Sequence, residues 1–523
     1  MRRMSDVLSP HGQSRRSLIM AGAAAMTAWA SRAPALVIRD VGGVDPFTLG
    51  VASGDPWSDS VVLWTRLAPQ PLELDGLGGM PARDVDVRWE LAADDRFTRI
   101  IHKGQATASP AAAHAVHVEV GGLSPGREYH YRFEAMGHRS RTGRTRTAPA
   151  RGEQTSARFG IVSCSRYETG YFTAYAHLAA ERPDLVLHLG DYIYETAGNP
   201  ATLVARPFDQ AEIITLADYR RRYAQYRLDP DLQALHAIAP FAVVFDDHEV
   251  DNNWAGDIPE DKQTRQQFLE RRAAAFKAHH EVMPMRRAAA PSGSSSRLYR
   301  ELAWGGLANL YMLDTRQFRD DQPCGDGNRV DCAERLIATR TMLGATQEQW
   351  LRSRAARSTA RWDVLGQQVF FGDLWRPLAD GRLALPMDSW NGYVAARQRV
   401  IDMFTDRPRN FVVLTGDVHR HYAGTLHAGA PDRAPVGVEF VATSITSGGD
   451  GSDNAEQIDP ILRANPNLRF TCDRRGYLVS DVTPQAWTTH YRVVPFVTRP
   501  GAGVETRRSY VMEAGAPGLS QTG

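Results

Sequence analysis

From residue 157 onward, short apolar runs alternate with amphipathic stretches, and this alternation constrains the fold more tightly than any other feature of the chain. The runs are "FGIVS" (159–163), "DLVLHLG" (184–190), "FAVVF" (241–245), "ANLYMLD" (308–314), "WDVLGQQVFF" (362–371) and "NFVVLTG" (410–416). Between them lie "YFTAYAHLAAE", "DYRRRYAQYRLDPDLQALH", "TQEQWLRSRAAR" and "YVAARQRVIDMF", which read as helices. Strands of this length need cover on both faces, so the pattern predicts an α/β core of sheets flanked by helices. In such cores ligands gather beyond the carboxyl ends of the strands, where the loops converge.

Upstream, from about Phe47 to Thr147, the pattern changes to alternating strands such as "SVVLWTRL", "DVRWEL", "HAVHVEV" and "YHYRFEA", punctuated by Gly, Pro and Asp. This is the spacing of a small all-β sandwich. "LSPGREYHYRFEA" resembles the last-strand region of immunoglobulin-like and fibronectin type III domains, with Tyr129 as the tyrosine that locks the corner. A polar linker, "APARGEQTSA" (148–157), separates the two patterns. The expected organisation is an export signal over 1–35, a β-sandwich over 45–148 and a catalytic domain over 157–523.

The signal reading rests on "SRRSLIM" (14–20) followed by "AGAAAMTAWA" and a small-residue cleavage region around Ala28 to Ala35. Such a run is too short to span a bilayer stably, and the Arg15-Arg16 pair resembles a twin-arginine signal. The expected location is therefore periplasmic or secreted, with the twin-arginine export machinery as a partner and no transmembrane anchor in the mature chain. With 61 basic and 60 acidic residues the chain is close to neutral, so no broad nucleic-acid-binding surface is expected. Four cysteines remain to be placed. Cys324 and Cys332 are close enough to close a disulfide loop, and Cys164 and Cys472 either pair with each other or stay free.

Several strands end on unusual residues: Cys164, Asp191 in "HLGDYIYE", Asp247 and His248 in "FDDHEVDNNW", and Asp417 and His419 in "LTGDVHRH". One aspartate after a strand is commonly a turn former or helix cap. Four strand ends of this kind point instead to a metal site, because converging carboxylates repel one another and are costly to desolvate without cations. Thiolate, phenolate and carboxylate donors suit iron, whereas carboxylates, amides and water suit Ca²⁺, Mg²⁺ or Mn²⁺. No CxxC or HExxH zinc motif occurs.

Taken together, "GDYIYE", "FDDHEVDNNWAG", "LDTRQFRD", "VLGQQVFF" and "LTGDVHRH", with "FTLGVASGDPWSDSVVLWTRLAP" upstream, resemble the PhoD-type alkaline phosphatases, distant relatives of purple acid phosphatases and other metallophosphoesterases. The resemblance implies Fe³⁺ held by Cys164, Tyr194 and His419, with Asp191 bridging to one or two Ca²⁺ served by Asp247 and Asp417; Mn²⁺, Mg²⁺ or Zn²⁺ are the alternatives. It also offers Gln368, Asn252 and Asn253 as further ligands. The implied reaction is hydrolysis of phosphomonoesters and phosphodiesters by an oxide or hydroxide held between the metals. His248 would protonate the leaving oxygen or orient phosphate, or else act as a ligand. Arg316 is the candidate phosphate clamp, the alternative being an arginine that only caps a strand end. His188 and His421 read as core or supporting residues, and "TSITSGGDG" (443–451) as a loop near the site. The segment 253–300 reads as either a lid or a solvated helix and loop. Two other functions stay open: a phospholipase D-like phosphodiesterase acting on lipids, and a non-enzymatic extracytoplasmic binding protein with a structural metal site.

Overall fold

The computed structural model describes residues 43–522 apart from 198–203, 208–210, 261, 406–409 and 430–432. The export-signal reading of 1–35 lies outside the described residues. Pro46–Gly523 form one compact unit.

Six strands position the site: β1 (Ala157–Val162), β2 (Leu185–Leu189), β3 (Pro240–Val244), β4 (Ala308–Met312), β5 (Trp362–Gln367) and β6 (Phe411–Thr415). β1, β2 and β3 run parallel and adjacent in one sheet. β4, β5 and β6 do the same in a second. Almost every residue of the six is buried, which explains why they read as continuous apolar runs without alternation. The first sheet has ten strands and the second seven. They pack face to face: Phe159 meets Trp304 edge-on at 5.5 Å and Trp362 meets Trp487 at 5.9 Å.

Helices Gly344–Arg357 and Val394–Thr405 cover the outer face of the second sheet over Tyr311, Leu365 and Val413. Helices Leu216–Arg227 and Arg265–Val282 start at capping boxes, Thr215 with Asp218 and Thr264 with Gln267, each satisfying two otherwise orphaned backbone donors. Arg265–Val282 buries Phe268, Ala275 and Phe276 in the main core, so this part of 253–300 is frame and not lid.

The sandwich is present, and Tyr129 does lock its corner: its hydroxyl accepts the Ser124 N–H at 2.9 Å. Val87, Leu91, Tyr131 and Phe133 from one layer meet Val51, Leu63, Val116 and Val118 from the other. That second layer is not separate from the catalytic part. Ser53 and Gly54 pair in parallel with Pro240 and Phe241 of β3, so strands Val51–Gly54, Val61–Arg66 and Ala115–Val120 continue the ten-stranded sheet. The linker at 148–157 divides the chain in sequence but not the hydrogen-bonded sheet, because joining the layers removes an exposed edge from each. Cys324 and Cys332 form a disulfide. Cys164 and Cys472 are both buried and free, and Cys472 lies 3.1 Å from an Asp453 carboxylate oxygen.

Candidate active site

The carboxyl ends of the two parallel triplets face a common centre, and five of the six strands deliver a functional residue two to four positions beyond their ends. Cys164 follows β1, Asp191 follows β2, Asp246, Asp247 and His248 follow β3, Arg316 follows β4, and Asp417 and His419 follow β6. The turns are sharp: Cys164, Asp191, Asp417 and His419 all have φ between 54° and 62°. Four non-glycine residues in the left-handed region at one site are backbone strain concentrated where function is expected. The glycines of the two "GD" pairs allow the loops to meet. A Cβ on Gly190 would lie 2.4 Å from that of Asp246, and one on Gly416 would lie 2.9 Å from that of Ser163.

Three overlapping groups of donors result, each with its atoms within 4.8 Å of one another: Cys164, Asp191 and His419; Asp191, Asp247 and His248; Asp246, Asp247 and Asp417. Asp191 and Asp247 are each shared, so the groups form one continuous run. Tyr194 joins the first, donating to Asp191 at 2.8 Å and lying 3.1 Å from His419 Nε2. Its hydroxyl is also 2.6 Å from Ser447 Oγ, which brings the "TSITSGGDG" loop to the site.

Asp191 Oδ1, Asp246 Oδ2 and Asp247 Oδ1 are buried without a hydrogen-bond partner. Each such orphan costs about 1–3 kcal/mol or more, and cations are the natural complement. The electrostatics agree. Burial, reinforced by neighbouring carboxylates, raises Asp191 and Asp417 well above the usual carboxylate range. Burial pushes Asp246 up to about 7 although Arg316 opposes it. Burial and the Asp191 charge raise the Cys164 thiol. Burial also opposes ionisation of Asp247 and His248, but Arg316 and His248 hold Asp247 low, and Glu195 with Asp247 holds His248 high. Burial and Arg475 push His419 down to about 3.

Some expected residues are placed differently. Arg316 is completely buried and faces four carboxylates: Asp246 at 2.5 Å, Asp388 at 3.0 Å, Asp247 at 3.4 Å and Asp417 at 3.5 Å. It is an internal counter-charge: Nε and Nη1 are spent on Asp246 and Asp388, and Nη2, which makes no hydrogen bond, lies between Asp247 and Asp417 and is sealed from solvent. Gln368 spends its amide on bracing loops, accepting from the Thr315 hydroxyl at 2.5 Å and donating to the Leu313 carbonyl at 2.9 Å, so it is not a ligand. Asn252 donates its amide to Glu260, and Asn253 donates its own to Asp326 at 2.8 Å. Asn253 reaches the centre only through its backbone N–H, bonded to Asp247 at 2.8 Å. His188 and His421 are buried and bonded to Tyr175 and the Thr443 N–H.

Four acidic residues were missed. Asp246 joins the third group directly. Glu249 accepts the N–H groups of Asp191, Tyr192 and Asp246 at 3.0, 2.6 and 2.8 Å, tying two loops together. Glu195 holds His248 Nδ1 at 2.7 Å. Asp388 is bound by Arg316, Arg319 and Gln322. The first three stand inside motifs already in view. Asp388, 72 residues from Arg316, carried no sequence signal.

Two facing sheets thus bring one carboxylate-rich run of donors together at their strand ends. Residues 159–491 match the family model of the PhoD-like phosphatase, and residues 32–149 match that of the PhoD-like phosphatase N-terminal domain. Alkaline phosphatase D of Bacillus subtilis (strain 168) is 50% identical over 481 residues, covering 91% of this chain and 82% of that relative. The solved structure of PhoD matches with a TM-score of 0.88 at 49% identity, over 92% of this chain and 93% of that one. A purple acid phosphatase from yellow lupin seeds shares the fold, with a TM-score of 0.53 at 11% identity over 89% of this chain and 73% of that one. The chain belongs to the PhoD-like phosphatase family, and it is a phosphatase.

Proposed function

We propose that this chain is an exported, cation-dependent hydrolase of phosphomonoesters and phosphodiesters. The observation that carries the reading is the unbroken run of buried and half-buried donors from Cys164, Tyr194 and His419 through the shared Asp191 to Asp246, Asp247 and Asp417, in which three carboxylate oxygens accept no hydrogen bond. Sulfur, phenol and imidazole donors fit Fe³⁺ at the first end, and the all-oxygen end fits Ca²⁺, one or two ions, with Mn²⁺, Mg²⁺ or Zn²⁺ as substitutes. When bound, the cations would neutralise charge on the phosphoryl oxygens and activate water for in-line attack on phosphorus. Glu195 accepts from His248 Nδ1, which leaves Nε2 to give a proton to the leaving oxygen, and the Tyr194 ring packs at 4.1 Å against the imidazole.

Export rests on Arg15-Arg16 and the apolar run after it. Among the described residues no helix is long and apolar enough to cross a membrane. The test is purification without added metal, elemental analysis, a visible spectrum, and assays on nitrophenyl phosphate, bis(nitrophenyl) phosphate and phosphatidylcholine. Iron with calcium, hydrolysis of both nitrophenyl esters and loss of activity on chelation are expected. Full activity in fully metal-depleted protein would overturn the proposal.

A further inference from the structure

We propose that Arg166 binds the phosphoryl group of the substrate at the rim of the site and favours a doubly charged phosphate over a singly charged one. The inference rests on the phosphatase reading and assigns the clamp that Arg316 is too enclosed to provide. Arg166 lies two residues beyond Cys164. Its guanidinium carbon sits 5.2 Å from the centre of the Tyr194 ring, whose centre in turn lies 4.1 Å from that of the His248 ring, tilted by 34°. Arg166, Tyr194 and His248 therefore share one wall of the centre, with the Tyr194 hydroxyl bonded to Asp191 and near His419.

The arginine is fixed in direction. Glu168 accepts its Nε–H at 2.5 Å and Thr196 Oγ1 accepts from Nη2 at 3.0 Å. Its carbonyl accepts the Thr446 hydroxyl at 2.6 Å. Nη1 alone has no partner among the described residues. The side chain is 25% exposed, whereas its anchor Glu168 is 1% exposed.

The contrast with Arg316 decides between the two. Each has one nitrogen without a hydrogen bond, but that of Arg316 is wholly enclosed between Asp247 and Asp417, whereas Arg166 has one carboxylate and a side chain 25% exposed. A guanidinium held by an aromatic face, a carboxylate and a hydroxyl has little left to lose in side-chain freedom when a phosphoryl oxygen reaches Nη1. The attraction scales with ligand charge, so a terminal phosphate benefits more than a diester.

The test compares metal-loaded wild type, R166Q and R166K by calorimetric titration with inorganic phosphate, by KM and kcat on nitrophenyl phosphate and bis(nitrophenyl) phosphate, and by metal content. In R166Q the phosphate Kd and the monoester KM should each rise about tenfold or more, the loss of one charge-assisted hydrogen bond. The diester KM should rise less, kcat should change less than about threefold, and metal content should stay at the wild-type level. R166K should recover part of the affinity. A phosphate Kd in R166Q within about twofold of wild type, or a loss of affinity that follows a loss of metal, overturns the proposal. Should R166Q fail to fold, R166K carries the same decision: a raised phosphate Kd at wild-type metal content supports the assignment and an unchanged Kd overturns it. Arg166-dependent phosphate binding in a wild type that hydrolyses neither ester would sustain this inference and remove the phosphatase reading instead.

Discussion

The half of the site built on Cys164, Tyr194 and His419 and the half built on Asp246, Asp247 and Asp417 treat buried charge in opposite ways. The first half consists of groups that are neutral when stripped of a counter-charge: burial raises the thiol and phenol and lowers the imidazole. Among the described residues no cation is bonded to its three donor atoms, although Arg166 lies against the Tyr194 ring and Arg475 bonds the His419 carbonyl. The second half is made of carboxylates and carries a permanent cation, Arg316, at its centre. A buried charge needs either neutralisation by protons or a partner fixed in place, and this site uses one solution in each half. Asp191 belongs to both.

The largest effect is expected where the halves meet. D191N should lower kcat/KM by a factor on the order of 10³ and remove cations from both ends by elemental analysis; loss from one end alone would show that the halves are independent. Next, R316M leaves Asp246 without its partner and should cost about 3–5 kcal/mol in urea unfolding, as breaking a buried ion pair does. A cost under about 1 kcal/mol in the metal-loaded protein would mean that bound cations, and not Arg316, carry the second half. C164S should then act on the first half alone. Among the described residues the thiol's one hydrogen bond is to Ser163 at 3.3 Å, so little stability depends on it. On the metal assignment proposed above, the visible absorption of sulfur-bound iron should vanish while calcium is retained, and affinity for the iron should fall by at least about 10–100-fold.

The smallest effect lies outside both halves and sets their background. Burial holds His188 and His279 near a pKa of about 3, against an ordinary value of 6.5. Below pH 6.5 the unfolded chain binds protons that the folded chain refuses. Stability is therefore complete above about pH 6.5 and is lost as pH falls toward about 3. H279Q should remove about 1.4 kcal/mol per pH unit from that acid slope, measured by urea unfolding between pH 6.5 and 5. An unchanged slope would place the acid sensitivity in the site itself.

Much of the site was legible because strand ends are local: a run such as "FVVLTG" announces both the strand and the residue that leaves it. Cys164, Asp191, Asp247, His248, Asp417 and His419 stand at strand ends, whereas Tyr194 came only with the family resemblance, and the structure brings all of them together. The errors were of another kind. Gln368 and Arg316 stand at strand ends as well, but a strand end does not reveal whether a side chain turns toward the centre or into the loop beside it. Gln368 meets Thr315, which makes it a brace; Arg316 meets Asp388, which makes it a counter-charge.

By itself the sequence determined the α/β core, the upstream sandwich and the kind of donor each strand carries, because periodicity and residue chemistry are properties of neighbours along the chain. Only the tertiary structure decided that the sandwich shares its sheet with β3, that Cys164 stays free of Cys472, and which arginine is enclosed and which remains open at the rim. Those outcomes depend on who is buried against whom across hundreds of residues, and the cost of burying charge is set by the partners that folding supplies.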